Sequence, residues 1–197
     1  MLLATACAAS PIALPAAATA PTTAAVEAGR GDLTTISPSS WLKRLRKETA
    51  KFRDPRVAER YGYERTDSCW EFPYKLPGGE PLGGMGYHYA NERLIQDPKI
   101  DLMRPEILVY VPDGRGGRKL GAVEYFKRDR DQRIATADDR PTLLGQEFQG
   151  PMGPHEDGMP IHYDLHLWIW KDNPKGLFEQ WNPRVKCPSG PAHGGHS

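Results

Sequence analysis

Hydrophobic and polar residues alternate strictly over residues 161–170, and this alternation predicts a β-strand. One face of the strand would be apolar and would carry Tyr163, Leu165, Leu167 and Ile169. The opposite face would combine imidazole, carboxylate and indole groups, namely those of His162, Asp164, His166, Trp168 and Trp170. A helix would instead make His162 and His166 a pair of ligands four residues apart, but the alternation and the Leu-Trp-Ile-Trp run favour the strand.

A second pattern predicts an antiparallel hairpin. Residues 107–111 and 119–126 have the composition of strands, and a glycine-rich turn signal lies between them. Glu124 would share a face with Ala122 and Phe126. A carboxylate in that position is either exposed to solvent or paired inside the protein.

A shorter strand is predicted at residues 87–89, directly after a run of glycines at residues 83–86. The glycines would let the backbone pass close to another segment. On a strand, His88 points away from both of its tyrosine neighbours.

Two helices are expected before these strands. Ser40 is a suitable N-cap for a helix that begins at Trp41. Asp54 followed by Pro55 predicts the start of a second, short helix that ends near Tyr61.

These elements predict an α+β fold in which N-terminal helices pack on a largely antiparallel sheet, with barrel-like closure as an option. Residues 1–39 are expected to form a signal-like leader and a flexible linker, residues 40–188 a single domain, and residues 189–197 a mobile tail. The leader is rich in small apolar residues and has an Ala-x-Ala pattern, although it lacks a basic segment. The expected location is therefore secreted or in the cell envelope.

Cysteine usage agrees with export. Removal of the leader would leave Cys69 and Cys187, and an even number of cysteines in an exported protein suggests a disulfide. The alternative is two unpaired, buried thiols. A disulfide across this separation would stabilise the fold by roughly 4 to 5 kcal/mol in the chain-entropy model.

The nearly zero net charge of the chain bears on which classes of partner are expected. The chain has 26 basic and 25 acidic residues, which gives no electrostatic argument for a nucleic-acid partner. No apolar run in the sequence is long enough to form a transmembrane segment. The partners expected are a small molecule or a metal ion.

The polar face of the predicted strand suggests a metal site. Residues two apart on a strand are separated by about 6.6 to 6.8 Å, a distance that one ion can bridge, whereas His162 and His166 would be roughly 13 Å apart. Asp164 could therefore act with either histidine, as a ligand or as a hydrogen-bond acceptor that orients one. The remaining ligands would come from distant parts of the chain, with His88, Glu124 and His155 as candidates. Such donors suit one divalent transition metal and do not define which.

Two other interpretations stay open. The histidines could be core residues that hydrogen-bond within the fold. The protein could also be a non-enzymatic module that binds a small ligand or a glycan in an aromatic pocket formed by Tyr87, Tyr89, Asn91, Trp168 and Trp170. No serine lies in a nucleophile-elbow motif, and the sequence alone defines no reaction.

Three short motifs stand out: Gly-Met-Gly-Tyr-His-Tyr-x-Asn at residues 84–91, Val-Glu-Tyr at residues 123–125 and His-Tyr-Asp-Leu-His-x-Trp-x-Trp at residues 162–170. Together they resemble a family of uncharacterised exported bacterial proteins, and the resemblance covers roughly residues 45–188. The resemblance implies export and brings no activity, cofactor or catalytic residue with it.

Overall fold

The computed structural model describes residues 38–66, 69–75, 77–154 and 158–188. The predicted leader, most of the predicted linker and the predicted C-terminal tail lie outside these residues. Within the described ranges, every helix is too short or too polar to span a bilayer.

Two helices open the described chain, as the sequence predicts, but the first begins at Pro38 and not at Trp41. Ser40 therefore lies within the helix, and its predicted role as N-cap is wrong. Helix α1 spans Pro38–Thr49 and runs into a 3-10 turn at Ala50–Arg53, and helix α2 spans Pro55–Arg60. Asp54 caps α2, because its carboxylate accepts a hydrogen bond of 3.0 Å from the backbone N–H of Arg56. The apolar side chains that this segment buries are Trp41, Leu45, Phe52 and Ala58.

The rest of the structure is mostly antiparallel strands, with one short helix. The strands are β1 (Glu64–Arg65), β2 (Trp70–Glu71), β3 (Gly84–Ala90), β4 (Ile107–Pro112), β5 (Arg118–Arg128), β6 (Thr142–Leu143), β7 (Gln146–Glu147), β8 (Gln149–Met152) and β9 (His162–Leu167), and helix α3 (Glu92–Ile95) follows β3. The main sheet has the order β1-β3-β4-β5-β9-β8, and β2 also pairs with β3. The α+β class with antiparallel pairing is confirmed.

The expected option of a closed barrel is wrong. The sheet is open, with β1 and β2 at one edge and β8 at the other. All three edge strands are short, between two and four residues. A barrel would require these edges to pair with each other, and closure needs longer, staggered strands.

The two faces of the sheet bury different kinds of side chain. The helix face packs against α1 and the 3-10 turn through Leu108, Tyr110, Val123, Tyr125, Tyr163, Leu165 and Leu167. The second face carries a smaller apolar cluster made of Ile107, Val109, Val111, Ala122, Phe126, Trp168 and Val185. Strand alternation produces both sets, because successive side chains point to opposite faces.

The predicted hairpin of β4 and β5 is confirmed and is longer than expected. Its register pairs Ile107 with Glu124, and β5 continues as far as Arg128. The extension matters because it adds one more residue, Arg128, to the same face as Glu124 and Phe126.

The strand predicted at residues 161–170 is shorter in the structure. It ends at Leu167, because the backbone N–H of Trp168 donates to the carbonyl of Leu177 and that of Ile169 to the carbonyl of Leu167, each at 2.9 Å, so that neither continues the pairing with β5. Trp168 stays on the second face, whereas the indole N–H of Trp170 donates to Thr49 Oγ1 of α1 at 3.1 Å. The expected position of Trp170 beside the histidines is therefore wrong.

A disulfide and a pair of backbone hydrogen bonds hold the end of the described chain against β3 and the segment before it. Cys69 and Cys187 form the predicted disulfide across a sequence separation of 118 residues. Gly84 and Asn182 exchange two backbone hydrogen bonds of 3.1 Å. A Cβ atom at Gly83 would collide with the carbonyl of Asn182, which explains why glycine is needed where these segments meet.

Candidate metal centre

The register of β5 and β9 places polar residues opposite each other on the second face. Glu124 is the direct partner of His166, and Phe126 is the direct partner of Asp164. Directly opposed side chains on one face of an antiparallel pair have Cβ atoms about 4.5 to 5.5 Å apart. The Glu124 carboxylate and the His166 imidazole are thus brought into contact by strand pairing alone.

The third polar group comes from two strands away. His88 lies on β3 opposite Val109 of β4, and its side chain reaches across β4 toward Glu124. His88 Nε2 is 3.3 Å from Glu124 Oε2, and His166 Nε2 is 3.4 Å from the same oxygen. The two imidazole rings meet edge to face, with their centroids 5.9 Å apart.

These side chains form a compact donor set that we call the triad, made of His88, Glu124 and His166. One potential ligand atom from each residue lies within 4.8 Å of the other two. His166 and Glu124 are 1% and 5% exposed, while His88 is half-buried. The triad could hold a metal ion.

Burial favours the neutral form of the His166 ring. Complete burial lowers the pKa of His166 well below its ordinary value, and the nearby His88 lowers it further. Among the described residues, neither ring nitrogen of His166 has a hydrogen-bond partner. A neutral imidazole keeps a lone pair on one nitrogen, which is the form that binds a metal.

Asp164 lies beside the triad and contacts Glu124. Burial raises the pKa of Asp164 well above its ordinary value, and the Glu124 carboxylate, including a hydrogen bond with it, raises the pKa further. Asp164 Oδ1 has no hydrogen-bond partner within the part of the chain that is described. Asp164 is thus placed to fix the orientation of Glu124.

The spacing within the triad distinguishes two kinds of contact. A direct charge-assisted N–H···O bond is about 2.7 to 2.9 Å long. Two ligands bound tetrahedrally to one ion at about 2.0 to 2.1 Å would be roughly 3.3 Å apart. The separations of 3.3 and 3.4 Å match the second value better than the first.

A cavity of about 900 Å³ opens on the second face and reaches the triad. His88 and Asp164 line it, whereas Glu124 and His166 are not part of the lining. Its apolar wall is formed by Trp70, Met85, Ile95, Ile107, Phe126 and Met159. A cavity of this size accommodates a small organic molecule.

Not all predicted metal ligands come together. The structure joins His88, Glu124 and His166 and places Asp164 beside them. His162 is separate, since its ring stacks on Phe126 at 4.6 Å and its Nδ1 lies 2.9 Å from the carbonyl oxygen of Pro160. His155 lies outside the described residues.

The residues predicted to form an aromatic pocket are distributed over both faces of the sheet. Tyr89 belongs to the helix-face core and Tyr87 packs against it, whereas Trp168 donates from its indole N–H to the carbonyl of Glu179 at 2.6 Å. The Asn91 amide donates to the Tyr61 carbonyl at 3.0 Å. Within the described part of the chain, the lining of the large cavity includes neither these residues nor Trp170.

The sequence interpretation missed the cavity wall and its rim. Alternation already places Phe126 on the face of Glu124, but the predicted strand ends at Phe126 and does not include Arg128. In the structure β5 continues to Arg128, which then lies on the same face. Trp70 and Met85 come from segments whose pairing the sequence does not reveal.

Comparison with protein-family models, with curated proteins and with solved structures found no match. The resemblance to uncharacterised exported bacterial proteins stays a prediction, and the site must be interpreted from its own chemistry.

Proposed function

We propose that the protein binds one divalent transition-metal ion through His88, Glu124 and His166 and presents it to a small molecule in the adjacent cavity. The observation that carries the proposal is the triad itself, in which donor atoms from three separate strands lie within 4.8 Å of one another. Nothing in the local sequence of any one strand requires this convergence.

The donor types fit this class of ion. Two imidazole nitrogens and one carboxylate oxygen suit zinc, iron(II), nickel or manganese better than calcium or magnesium, which prefer oxygen ligands. Three protein ligands leave at least one coordination position for water or another molecule. His88 is the triad member that lines the cavity, so this position would be reached from the cavity side.

A purely structural role accounts less well for the buried His166 ring. A buried polar atom without a partner costs about 1 to 3 kcal/mol, and such atoms are rare in folded proteins. Neither nitrogen of His166 has a hydrogen-bond partner among the described residues. A metal bond to Nε2 would relieve part of this cost.

The disulfide suggests an oxidising compartment, which supports a location outside the cytoplasm. We propose that the protein is exported and that it acts in the cell envelope or beyond. The nearly balanced charge supports a small-molecule partner over a nucleic acid.

Metal content tests the proposal directly. The full chain should be purified without a histidine tag and with His193 and His196 replaced by Ser, so that the C-terminal histidines do not bind metal themselves. Elemental analysis by mass spectrometry should then find about one transition-metal ion per chain. The His166→Gln variant should lose this ion.

His162→Gln is the matched control, because His162 is another buried histidine on β9 that lies outside the triad. It should retain the metal. A folded protein that takes up no stoichiometric metal, or a His166→Gln variant that binds as much as His162→Gln, would overturn the proposal.

The metal-free result would favour the second candidate, a non-enzymatic module that binds an organic ligand. Trp70 and Phe126 in the cavity wall support that alternative, because aromatic side chains supply most of the contact area in such pockets. This pocket is different from the aromatic one predicted from the sequence.

A further inference from the structure

We propose that the ligand of this cavity is an organic anion with an apolar chain, whose anionic group binds Arg128 while its other end reaches the metal. This inference rests on the proposed metal centre and names the class of molecule that the centre would meet.

The paired strands β5 and β9 arrange the cavity face in three steps. The innermost pair is Glu124 with His166, the middle pair is Phe126 with Asp164, and the outermost pair is Arg128 with His162. Along β5 the character of the side chains therefore changes from a metal ligand to an apolar ring and then to a cation.

The wall between the two ends is mostly apolar. Trp70 and Met85 come from the β2–β3 side, and Ile107 and Phe126 come from β4 and β5. Burying an alkyl or aromatic group against such a wall contributes about 25 cal/mol per Å². A hydrophilic ligand such as a free sugar would gain little from this surface.

Arg128 differs from the other cations that line the cavity. Lys127 Nζ donates to the Pro98 carbonyl at 2.7 Å, and Arg130 is paired with Asp138 at 2.7 Å. Across the described residues, no ion pair or hydrogen bond of the Arg128 guanidinium is found, and the side chain is exposed at the rim. Its donors are available to a ligand.

Four of the described acidic residues besides Asp164 line the cavity, and each already accepts a hydrogen bond. Glu92 accepts from the Gln96 amide and Asp97 from the Lys99 N–H. Asp129 and Asp139 both accept hydrogen bonds from the Tyr163 hydroxyl, at 3.1 and 3.0 Å. Asp129 also accepts from the backbone N–H of Arg133, and Asp139 from that of Arg130. Neither carboxylate contacts Arg128, so the guanidinium charge is not neutralised by direct pairing with them.

The strand geometry sets the length of the ligand. Four residues of strand separate Glu124 from Arg128, which corresponds to about 13 Å. A short anion cannot contact both ends, whereas a medium-length chain with a terminal carboxylate can. Arg suits this role because its guanidinium binds a carboxylate with two parallel hydrogen bonds.

Hydroxamic acids that bind metal at one end can measure this preference. We suggest loading the full chain with cobalt(II) and titrating suberic monohydroxamic acid and octanohydroxamic acid, which differ in a terminal carboxylate against a methyl group. The visible cobalt absorption band reports metal binding by either compound. The wild type should bind the carboxylate compound about fivefold more tightly, as expected for one partly exposed ion pair.

The variant Arg128→Gln should lose this preference and keep its affinity for octanohydroxamic acid. Arg115→Gln is the matched control, because it removes the same charge from an exposed position in the turn at the other end of the β4–β5 hairpin. It should keep the preference. Succinic monohydroxamic acid should show no advantage over butanohydroxamic acid, since its carboxylate is too close to the metal.

The outcomes separate the two proposals. If hydroxamates change the cobalt spectrum but the carboxylate gives no advantage, or if the advantage survives in Arg128→Gln, the anion proposal is overturned and the metal centre stands. If cobalt does not bind, or no hydroxamate changes its spectrum, the proposal of a metal centre open to the cavity fails and the anion proposal with it.

Discussion

The two faces of the same sheet treat their polar atoms in opposite ways. On the helix face, the hydroxyl groups of Tyr110 and Tyr125 donate to the backbone carbonyls of Phe52 and Leu102, at 2.6 and 2.8 Å. On the second face, neither His166 nitrogen has a hydrogen-bond partner among the described residues. The helix face thus pairs these buried hydroxyl groups within the fold, whereas the second face leaves the two nitrogens of His166 without a hydrogen bond in the described part of the chain.

This difference predicts that the second face is stabilised less than the helix face at His166. A buried tyrosine whose hydroxyl is bonded gains from burial without leaving a polar atom unpaired. The second face lacks that compensation at His166, and an unpaired buried polar group beside a cavity marks a candidate functional site. We therefore expect substitutions on the two faces to have different consequences.

The largest expected effect concerns the disulfide beside the second face. The double variant Cys69→Ser, Cys187→Ser should have an unfolding free energy about 4 to 5 kcal/mol lower than the wild type, because the unfolded chain gains the freedom of an open loop. Equilibrium urea unfolding under non-reducing conditions measures this difference. The wild type measured under reducing conditions is the control and should match the double variant, and an unchanged midpoint would contradict the expectation.

Adjacent residues on β9 give the sharpest comparison of the two faces. Leu165→Ala should lower the unfolding free energy by about 2 to 5 kcal/mol, since it leaves a cavity in the helix-face core. His166→Leu in metal-free protein should be close to neutral or stabilising, because an apolar group replaces a buried polar one. Urea unfolding of both variants without metal tests this contrast, and equal losses would show that His166 is an ordinary core residue.

An effect that depends on pH is expected from another buried carboxyl group, Glu106. Burial raises the pKa of Glu106 from its ordinary 4.5 to about 8, and Glu106 Oε2 accepts a bond of 3.3 Å from the Phe126 N–H. The folded state thus binds a proton that the unfolded state has released between these two pH values. Stability from this group is present below pH 4.5 and is lost as the pH rises to about 8.

Glu106→Gln removes this dependence and can still accept the bond from Phe126. Relative to the wild type, the variant should gain up to about 1.4 kcal/mol of unfolding free energy per pH unit across this window. Urea unfolding at several pH values measures the gain. A difference that does not change between pH 5 and 8 would show that Glu106 titrates normally.

Much of the fold follows from local sequence signals. The alternation in β9, the hairpin of β4 and β5 and the Asp54 cap of α2 each depend on residues close in sequence, and the structure confirms them. The disulfide was also predictable, since the cysteine number and the predicted export together indicate it.

The site was only partly predictable, because the local sequence of a strand does not determine which strands are its neighbours in the sheet. Alternation placed Asp164 and His166 on one polar face and Glu124 on a face with Ala122 and Phe126. It did not predict the contact of His88 with Glu124 across the whole width of β4. His162 shares the face of His166 and yet lies two steps along the ladder, opposite Arg128. The face on which a side chain lies follows from alternation along its own strand. Its partner across the sheet depends on the pairing register, which involves another strand.

Crystals soaked with zinc or cobalt and measured at the absorption edge of the metal would test the central claim most directly. The account predicts an anomalous-scattering peak between His88 Nε2, His166 Nε2 and the Glu124 carboxylate, and no such peak in His166→Gln. A wild-type map without a peak there, with the three side chains ordered and bonded directly to one another, would contradict it.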